Sequence, residues 1–174
     1  LIQAVARVAG KVGHVVLAGA TPDPAYEALL RAEVERLGLS RRVTFAGLLD
    51  EPALLEEFTR AQALVLPSYQ ETAPMVIQQA MAAGLPVVIS DWDGYRYTVQ
   101  DGQQGFLIPT LGGPPGGASV GAAERHALGM DSYQLYVGAL AQHTAVHVGR
   151  AARAIAALIA SPDLRRRMGE AGRR

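Results

Sequence analysis

The chain contains no cysteine. Disulfide frameworks, thiolate nucleophiles and cysteine-held zinc are excluded, and a reducing compartment fits. Net charge is absent too: Lys plus Arg and Asp plus Glu both number 16, so no overall field draws the surface to nucleic acid or to an anionic membrane. No apolar run approaches the roughly 20 residues that cross a bilayer as a helix, and the start lacks the basic, apolar, small-residue order of a signal peptide. His126, His143 and His147 have no metal-ligand partners at suitable spacing, so no metal site is expected. No Gly-x-Gly-x-x-Gly turn supports a dinucleotide dehydrogenase. No internal repeat is visible. What the chain does have is 49% apolar against 18% charged residues over 174 positions, enough to build the core of one ordinary soluble domain.

The order of elements follows from periodicity and turn formers. The segment from Leu1 to Val8 has helical spacing with no cap and no initiator Met, so it reads as a helix entered from a longer polypeptide. His14 to Ala18, Val43 to Ala46, Ala63 to Leu66 and Pro86 to Ile89 are short continuous apolar runs, the pattern of parallel strands covered on both faces. Between them, Tyr26 to Leu37, Pro52 to Ala61 and Pro74 to Ala83 read as helices. The rhythm predicts a doubly wound α/β sheet, because parallel neighbours need helical crossovers. Gly105 to Ile108 reads as a last short strand. Thr110 to Ser119, rich in Gly and Pro, reads as an irregular loop or lid; its glycines are no phosphate loop, since no Gly-Lys-Ser/Thr follows. Helices are expected from Asp131 to Thr144, from Gly149 to Ala160, and after Ser161 and Pro162, which suit an N-cap and a first turn.

In open parallel sheets ligands bind beyond the carboxyl ends of the strands. Two loops lie there, Gly19 to Pro24 and Pro67 to Ala73. The second precedes a helix beginning at Pro74, whose free N–H groups on Met75 and Val76 can face an anion. Glu71 has two readings: it complements that helix dipole, or it accepts hydrogen bonds from neutral hydroxyls such as those of a sugar. Gln79, about two turns on, either shows its amide to the same ligand or is simply solvated. Asp91, Asp93, Tyr95 and Arg96 follow the fourth strand at the same sheet end; turn formation accounts for the carboxylates as well as acid–base chemistry does. Lys11 reads as a solvated surface charge. The Arg165 to Arg167 and Arg173–Arg174 clusters suit a helix terminus as well as RNA.

The run Ser68-Tyr-Gln-Glu-Thr-Ala-Pro-Met-Val-Ile-Gln-Gln-Ala-Met-Ala-Ala-Gly-Leu-Pro-Val-Val88 resembles the donor-binding segment of retaining GT-B glycosyltransferases, group 1 or family 4. There a Glu, seven residues and a second Glu precede Ala-Met-Ala-x-Gly-x-Pro-Val-Val. The resemblance extends through Val43 to Gly47, Asp101 to Pro109 and Asp163 to Gly172. It implies a Rossmann-like sheet forming the C-terminal half of a GT-B fold. Residues 1–108 would be an α/β core lacking its first strand, 109–130 a Gly/Pro-rich insertion and 131–174 C-terminal helices.

By the same resemblance Glu71 would be the catalytic residue, contacting donor sugar hydroxyls, and Gln79 would contact the ribose. Pro74, Met75 and Val76 would border the phosphates, Gly19 the diphosphate, and Leu48 and Leu49 the base. Asp93, Tyr95 and Arg96 would lie on the acceptor side. The implied partners are a nucleoside diphosphate sugar as donor substrate, a hydroxyl acceptor (sugar, lipid-linked glycan or polysaccharide) and the N-terminal GT-B domain of the same polypeptide. No cofactor, metal or nucleic acid is implied, and the location would be cytoplasmic, peripheral to the inner membrane through the absent domain.

This sequence departs from the family pattern in three ways. Gln79 replaces a Glu and lacks its charge; Thr72-Ala73-Pro74 stands where Gly-Phe-Gly is common, and Pro74 has no N–H; and the Arg and Lys that neutralise the diphosphate would precede Leu1. The fragment is therefore expected not to turn over alone. A GT-B-like nucleotide-sugar epimerase and a non-catalytic binding or scaffold domain are the other functions the residues admit.

Overall fold

Short apolar runs and amphipathic segments alternate along the chain, and the computed structural model, which describes residues 1–21, 23–68, 75–92, 95–112, 118–141 and 144–174, converts them into alternating strands and helices. In order they are α1 (Ile2–Ala6), β1 (Val15–Ala18), α2 (Pro24–Arg36), β2 (Val43–Gly47), α3 (Glu51–Arg60), β3 (Leu64–Leu66), α4 (Met75–Ala82) and β4 (Val87–Asp91). There follow α5 (Tyr95–Thr98), β5 (Gly105–Gly112), α6 (Ala118–Ala127), α7 (Tyr133–Ala141), β6 (Thr144–Val146), α8 (Val148–Ala160) and α9 (Pro162–Gly172).

β1 pairs in parallel with β2, and β3, β4 and β5 form a second parallel set. β4 shows why the pattern reads as it does. Val88 joins one core with Val43, Ile108 and the α8 residues Ala151, Ile155 and Leu158. Val87 and Ile89 point into another, with Phe58 of α3 and Ile77 and Ala80 of α4. Successive side chains of a strand face opposite ways, so a strand with helices on both sides must be apolar throughout.

Helix ends are set by local chemistry. α2 and α4 both stop in the same motif: a positive-φ glycine, Gly38 at +68° and Gly84 at +83°, then an apolar residue whose N–H returns to the helix. Leu39 N donates to Val34 O and Leu85 N to Ala80 O, each at 2.9 Å. This closes the last turn and buries the leucine against the core. α9 begins where Ser161 Oγ accepts from Leu164 N at 3.1 Å, with Pro162 in the first turn, as the sequence predicts. Its far end docks on α4: Arg173 Nη2 donates to Ala83 O at 2.9 Å, and Gly169 lies directly against Gly84 O. Arg165 Nη1 donates to Leu158 O at 2.5 Å, at the end of α8, and Arg166 pairs with Glu170 at 3.1 Å. These basic residues fasten and decorate helices.

The region after Ile108 differs from expectation. β5 continues to Gly112, because Thr110, Leu111 and Gly112 pair antiparallel with Val146, Ala145 and Thr144 of β6. Thr110 to Gly112, expected to be irregular, are therefore strand, Ala118 to Ala127 is helical, and residues 113–117 of the expected loop lie outside the described residues. The helix expected to reach Thr144 ends at Ala141 for the same reason. Pairing with a distant strand overrides a turn-rich local composition. Two histidines have structural contacts: His126 stacks on Tyr136 with ring centroids 4.6 Å apart, and His147 Nδ1 caps α8 by accepting from Arg150 N at 3.3 Å.

Candidate functional site

The carboxyl ends of β1 and β2 are drawn together by Gly19 N, which donates to Gly47 O at 2.8 Å. Both glycines have positive φ, +147° and +67°, a backbone that L side chains rarely adopt. A cavity of about 480 Å³ opens here between these strand ends and α2, lined by Leu17, Gly19, Tyr26, Leu30, Arg31, Phe45 and Gly47 among others. Its cation is Arg31, whose guanidinium lies 4.3 Å from the Phe45 ring centroid and donates to Glu27 at 2.6 Å. The cavity thus joins apolar walls, an aromatic face and an ion pair of two lining residues, Arg31 and Glu27. Leu48, just beyond it, is 79% exposed; Leu49 is half-buried. The structure therefore brings Gly19 to the strand end that leads into Leu48 and Leu49.

Helix N-termini at this sheet end differ in the acidic residues of their first turns. Asp23 Oδ1 accepts from Ala25 N at 2.9 Å, and Asp50 Oδ1 accepts from Ala53 N at 3.0 Å. α2 and α3 thus spend N-terminal donors on their own carboxylates, and each carries a further acidic residue, Glu27 or Glu51, in the first turn. A second anion there meets like charge. The first turn of α4 carries no acidic residue. Met75 at its start is 63% exposed, Val76 is half-buried, and Gln79 is half-buried one turn further on.

The loop between β3 and α4 is anchored at its root. Ser90 is fully buried, and its Oγ donates to Ser68 O, tying the exit of β3 to β4. Thr110 Oγ1 donates to Asp91 O at 3.1 Å, tying the exit of β4 to β5. Sequence reasoning missed both hydroxyls. A serine inside an apolar strand run is a signal that could have found the first, since a buried hydroxyl needs a partner. The Asp-Gly-Gln-Gln-Gly turn is structural: Asp101 Oδ1 accepts from Leu107 N at 2.9 Å, and a Cβ on Gly105 would lie 1.8 Å from Val87 O.

Glu71, Pro74 and Asp93 lie outside the described residues, as does the side chain of Arg96. Tyr95, expected on the acceptor side, is only 1% exposed and packs in the core with Ile77 and Val99. It supports that sheet end from behind. Among the described residues no group of three His, Asp or Glu is placed to hold a metal, and no helix is long and apolar enough to cross a membrane. The carboxyls held below their ordinary range lie elsewhere: Glu33, which accepts from Arg36, and Asp131, which accepts from Arg125.

Comparison with known proteins gives a consistent picture. The family model described as "Glycosyl transferases group 1" matches residues 1–113. A D-inositol 3-phosphate glycosyltransferase of Streptomyces scabiei is 38% identical over 73 residues, covering 42% of this chain and 16% of that relative. The C-terminal domain of a glycosyl transferase group 1 family protein (LpcC) from Francisella tularensis superimposes with a TM-score of 0.70 at 19% identity, over 99% of this chain and 73% of that one. Anabaena Alr3699/HepE, solved in complex with UDP, superimposes with a TM-score of 0.55 at 27% identity, over 92% of this chain and 44% of that one. The chain matches only about a sixth of the length of the Streptomyces relative.

Proposed function

The chain belongs to the group 1 glycosyltransferases, and from that premise we propose that it is the donor-holding part of a longer enzyme that moves a glycosyl group from a nucleoside diphosphate sugar to a hydroxyl acceptor with retention of configuration. Its α/β architecture is that of the C-terminal half of a GT-B fold. In the proposed reaction the bond from the anomeric carbon to the diphosphate oxygen breaks, and a bond from that carbon to the acceptor oxygen forms on the same face. The acceptor proton passes to the departing diphosphate. The protein supplies position and charge stabilisation, and no metal takes part.

The observation that carries this reading is the contrast among helix N-termini. α2 and α3 are occupied by Asp23 and Asp50, while α4 begins without an acidic first turn next to the resemblance-bearing loop. The diphosphate sits at α4, against the N–H groups of Met75 and Val76. Glu71 accepts hydrogen bonds from the sugar hydroxyls, and Gln79 takes one from the ribose through its amide oxygen. The base lies at Leu48 and Leu49, and Gly19 leaves room for close backbone approach. UDP bound to Anabaena HepE, a structural relative, supports a nucleotide of this class.

The test uses the intact protein. Titration calorimetry with UDP-, GDP- and ADP-sugars should show one of them binding, and an acceptor panel should yield a product with the donor's anomeric configuration by proton NMR. Glu71→Ala should abolish transfer while leaving thermal unfolding unchanged. Full activity of that variant refutes the assigned role, and inversion at the anomeric carbon refutes the mechanism.

A further inference from the structure

The helix assigned to the diphosphate carries no charge of its own. α4, Met-Val-Ile-Gln-Gln-Ala-Met-Ala, has no ionisable side chain. The two crossover helices before it are charged at both ends: α2 has Glu27 in its first turn and Arg36 in its last, and α3 has Glu51 and Arg60. Those residues complement the helix macrodipole, acid at the positive N-terminus and base at the negative C-terminus. Any charge that matches the ends of α4 comes from elsewhere.

At the C-terminal end of α4 it comes from the residue that follows α9. Arg173 Nη2 donates to Ala83 O at 2.9 Å across 90 positions of sequence, and the guanidinium lies across Gly84, where a Cβ would overlap it. Gly169 meets Gly84 O, and a Cβ on Gly172 would lie 3.2 Å from the Met81 side chain. Four residues of two helices thus converge on one helix end. Ile77 and Ala80, both fully buried, hold α4 sideways against the core that it shares with Val87 and Ile89. The contacts at Ala83 and Gly84 stop it along its own axis. At about 1.5 Å per residue, the N-terminal amides of this eight-residue helix lie about 12 Å from that stop.

We propose that Arg173 is a positioning residue for the donor diphosphate, acting through α4: it neutralises the negative pole of the helix and fixes its axial position, so that the N–H groups of Met75 and Val76 meet the anion in register. The inference rests on the reading that places the diphosphate at α4. Arg173 touches neither the donor nor the reacting atoms. Its two effects are separable in principle. A cation at a helix C-terminus is worth a few-fold in the strength of the opposite pole's partner, and misplacing a binding group by about 1 Å costs up to about 100-fold. α2 and α3 need no such help, because their last turns carry Arg36 and Arg60.

Titration calorimetry of the intact protein with UDP, GDP and ADP, well below the unfolding temperature, tests this. For whichever nucleotide the parent binds, Arg173→Ala should weaken affinity by about 5-fold or more, and Arg173→Lys, which keeps the charge and a donor, should recover most of it. Ser161→Ala is the control: it loosens the start of the same α9 by losing the bond to Leu164 N, away from α4, and should bind within about 2-fold of the parent. The Met75 and Val76 amide resonances should shift in Arg173→Ala and hold still in Ser161→Ala. Parent-like affinity of Arg173→Ala overturns the proposal, as does equal weakening by Ser161→Ala, which would reduce the effect to general loosening of α9, and so does a lysine that recovers nothing. A parent that binds none of the three nucleotides refutes the donor reading itself, and the inference falls with it.

Discussion

Replacing Gly169 by alanine puts a methyl group 2.0 Å from the Gly84 carbonyl oxygen and 2.8 Å from its carbon. Neither atom belongs to a flexible side chain. They form the positive-φ turn that ends α4, and that turn is fixed by the bond from Leu85 N to Ala80 O. α9 must therefore move away from α4, which stretches the bond from Arg173 to Ala83 O. Two effects oppose each other. Alanine favours a helix interior over glycine by about 1 kcal/mol, whereas forcing an extra methyl into a packed contact costs about 1–3 kcal/mol or more. Backbone atoms cannot yield as a flexible side chain does, so the upper part of that range, about 2–3 kcal/mol, applies; the net loss is about 1–2 kcal/mol, which for a domain of this size lowers the midpoint of thermal unfolding by about 2–8 °C. Circular dichroism at 222 nm reads it. Two controls isolate the cause. Gly172→Ala meets only the Met81 side chain at 3.2 Å together with its Cα at 3.5 Å, and Gly10→Ala meets nothing within 4 Å, so both should unfold near the parent temperature. A Gly169→Ala midpoint equal to that of Gly10→Ala refutes the close approach of α9 to α4.

Ser161→Ala removes the acceptor for Leu164 N and should cost about 1 kcal/mol in urea unfolding; Ser161→Asp, which keeps an acceptor, should recover most of it. Gln79→Glu in the intact protein should tighten donor binding measured by calorimetry by about 10-fold, since a charged acceptor forms the stronger hydrogen bond; an equal or weaker affinity removes Gln79 from the ribose site. Arg125 holds the Asp131 carboxyl below its ordinary range, chiefly by donating hydrogen bonds to it. A carboxyl whose folded pKa is depressed stabilises the fold above its unfolded pKa, and that contribution fades as pH falls through the folded value. In Arg125→Ala the Asp131 carboxyl should therefore titrate at higher pH by NMR, and the acid limb of unfolding should lose this component. An unmoved Asp131 titration contradicts the pairing.

The parallel core was legible because its signals are local and mutually consistent. The strands from Val43 and Val87 are short apolar runs bounded by glycine and proline, and Gly38 and Gly84 stop their helices through a φ that other residues resist. β6 was not legible: Thr144 to Val146 is too short to stand out, and its identity as a strand comes only from pairing with Thr110 to Gly112, more than 30 residues away. The same pairing hid the true length of β5. At the candidate site, the rule that ligands gather at strand carboxyl ends singled out the Gly19 loop and the loop after β3, whereas Leu48 and Leu49 entered only through the family resemblance. The burial of Tyr95 with Ile77 and Val99 was not legible, because it comes from packing between elements and not from the residues beside it in sequence. Ser90 and Thr110 escaped notice because their partners are main-chain oxygens, which leave no mark in residue identity.

Those last two contacts also bear on how such a domain can diversify. Both hydroxyls grip the peptide backbone at Ser68 and Asp91 and ignore the neighbouring side chains. The side chains at Ser68 and Asp91 can accordingly change without releasing the strand exits they mark, so selection can vary those two positions without reworking the scaffold that presents the rim.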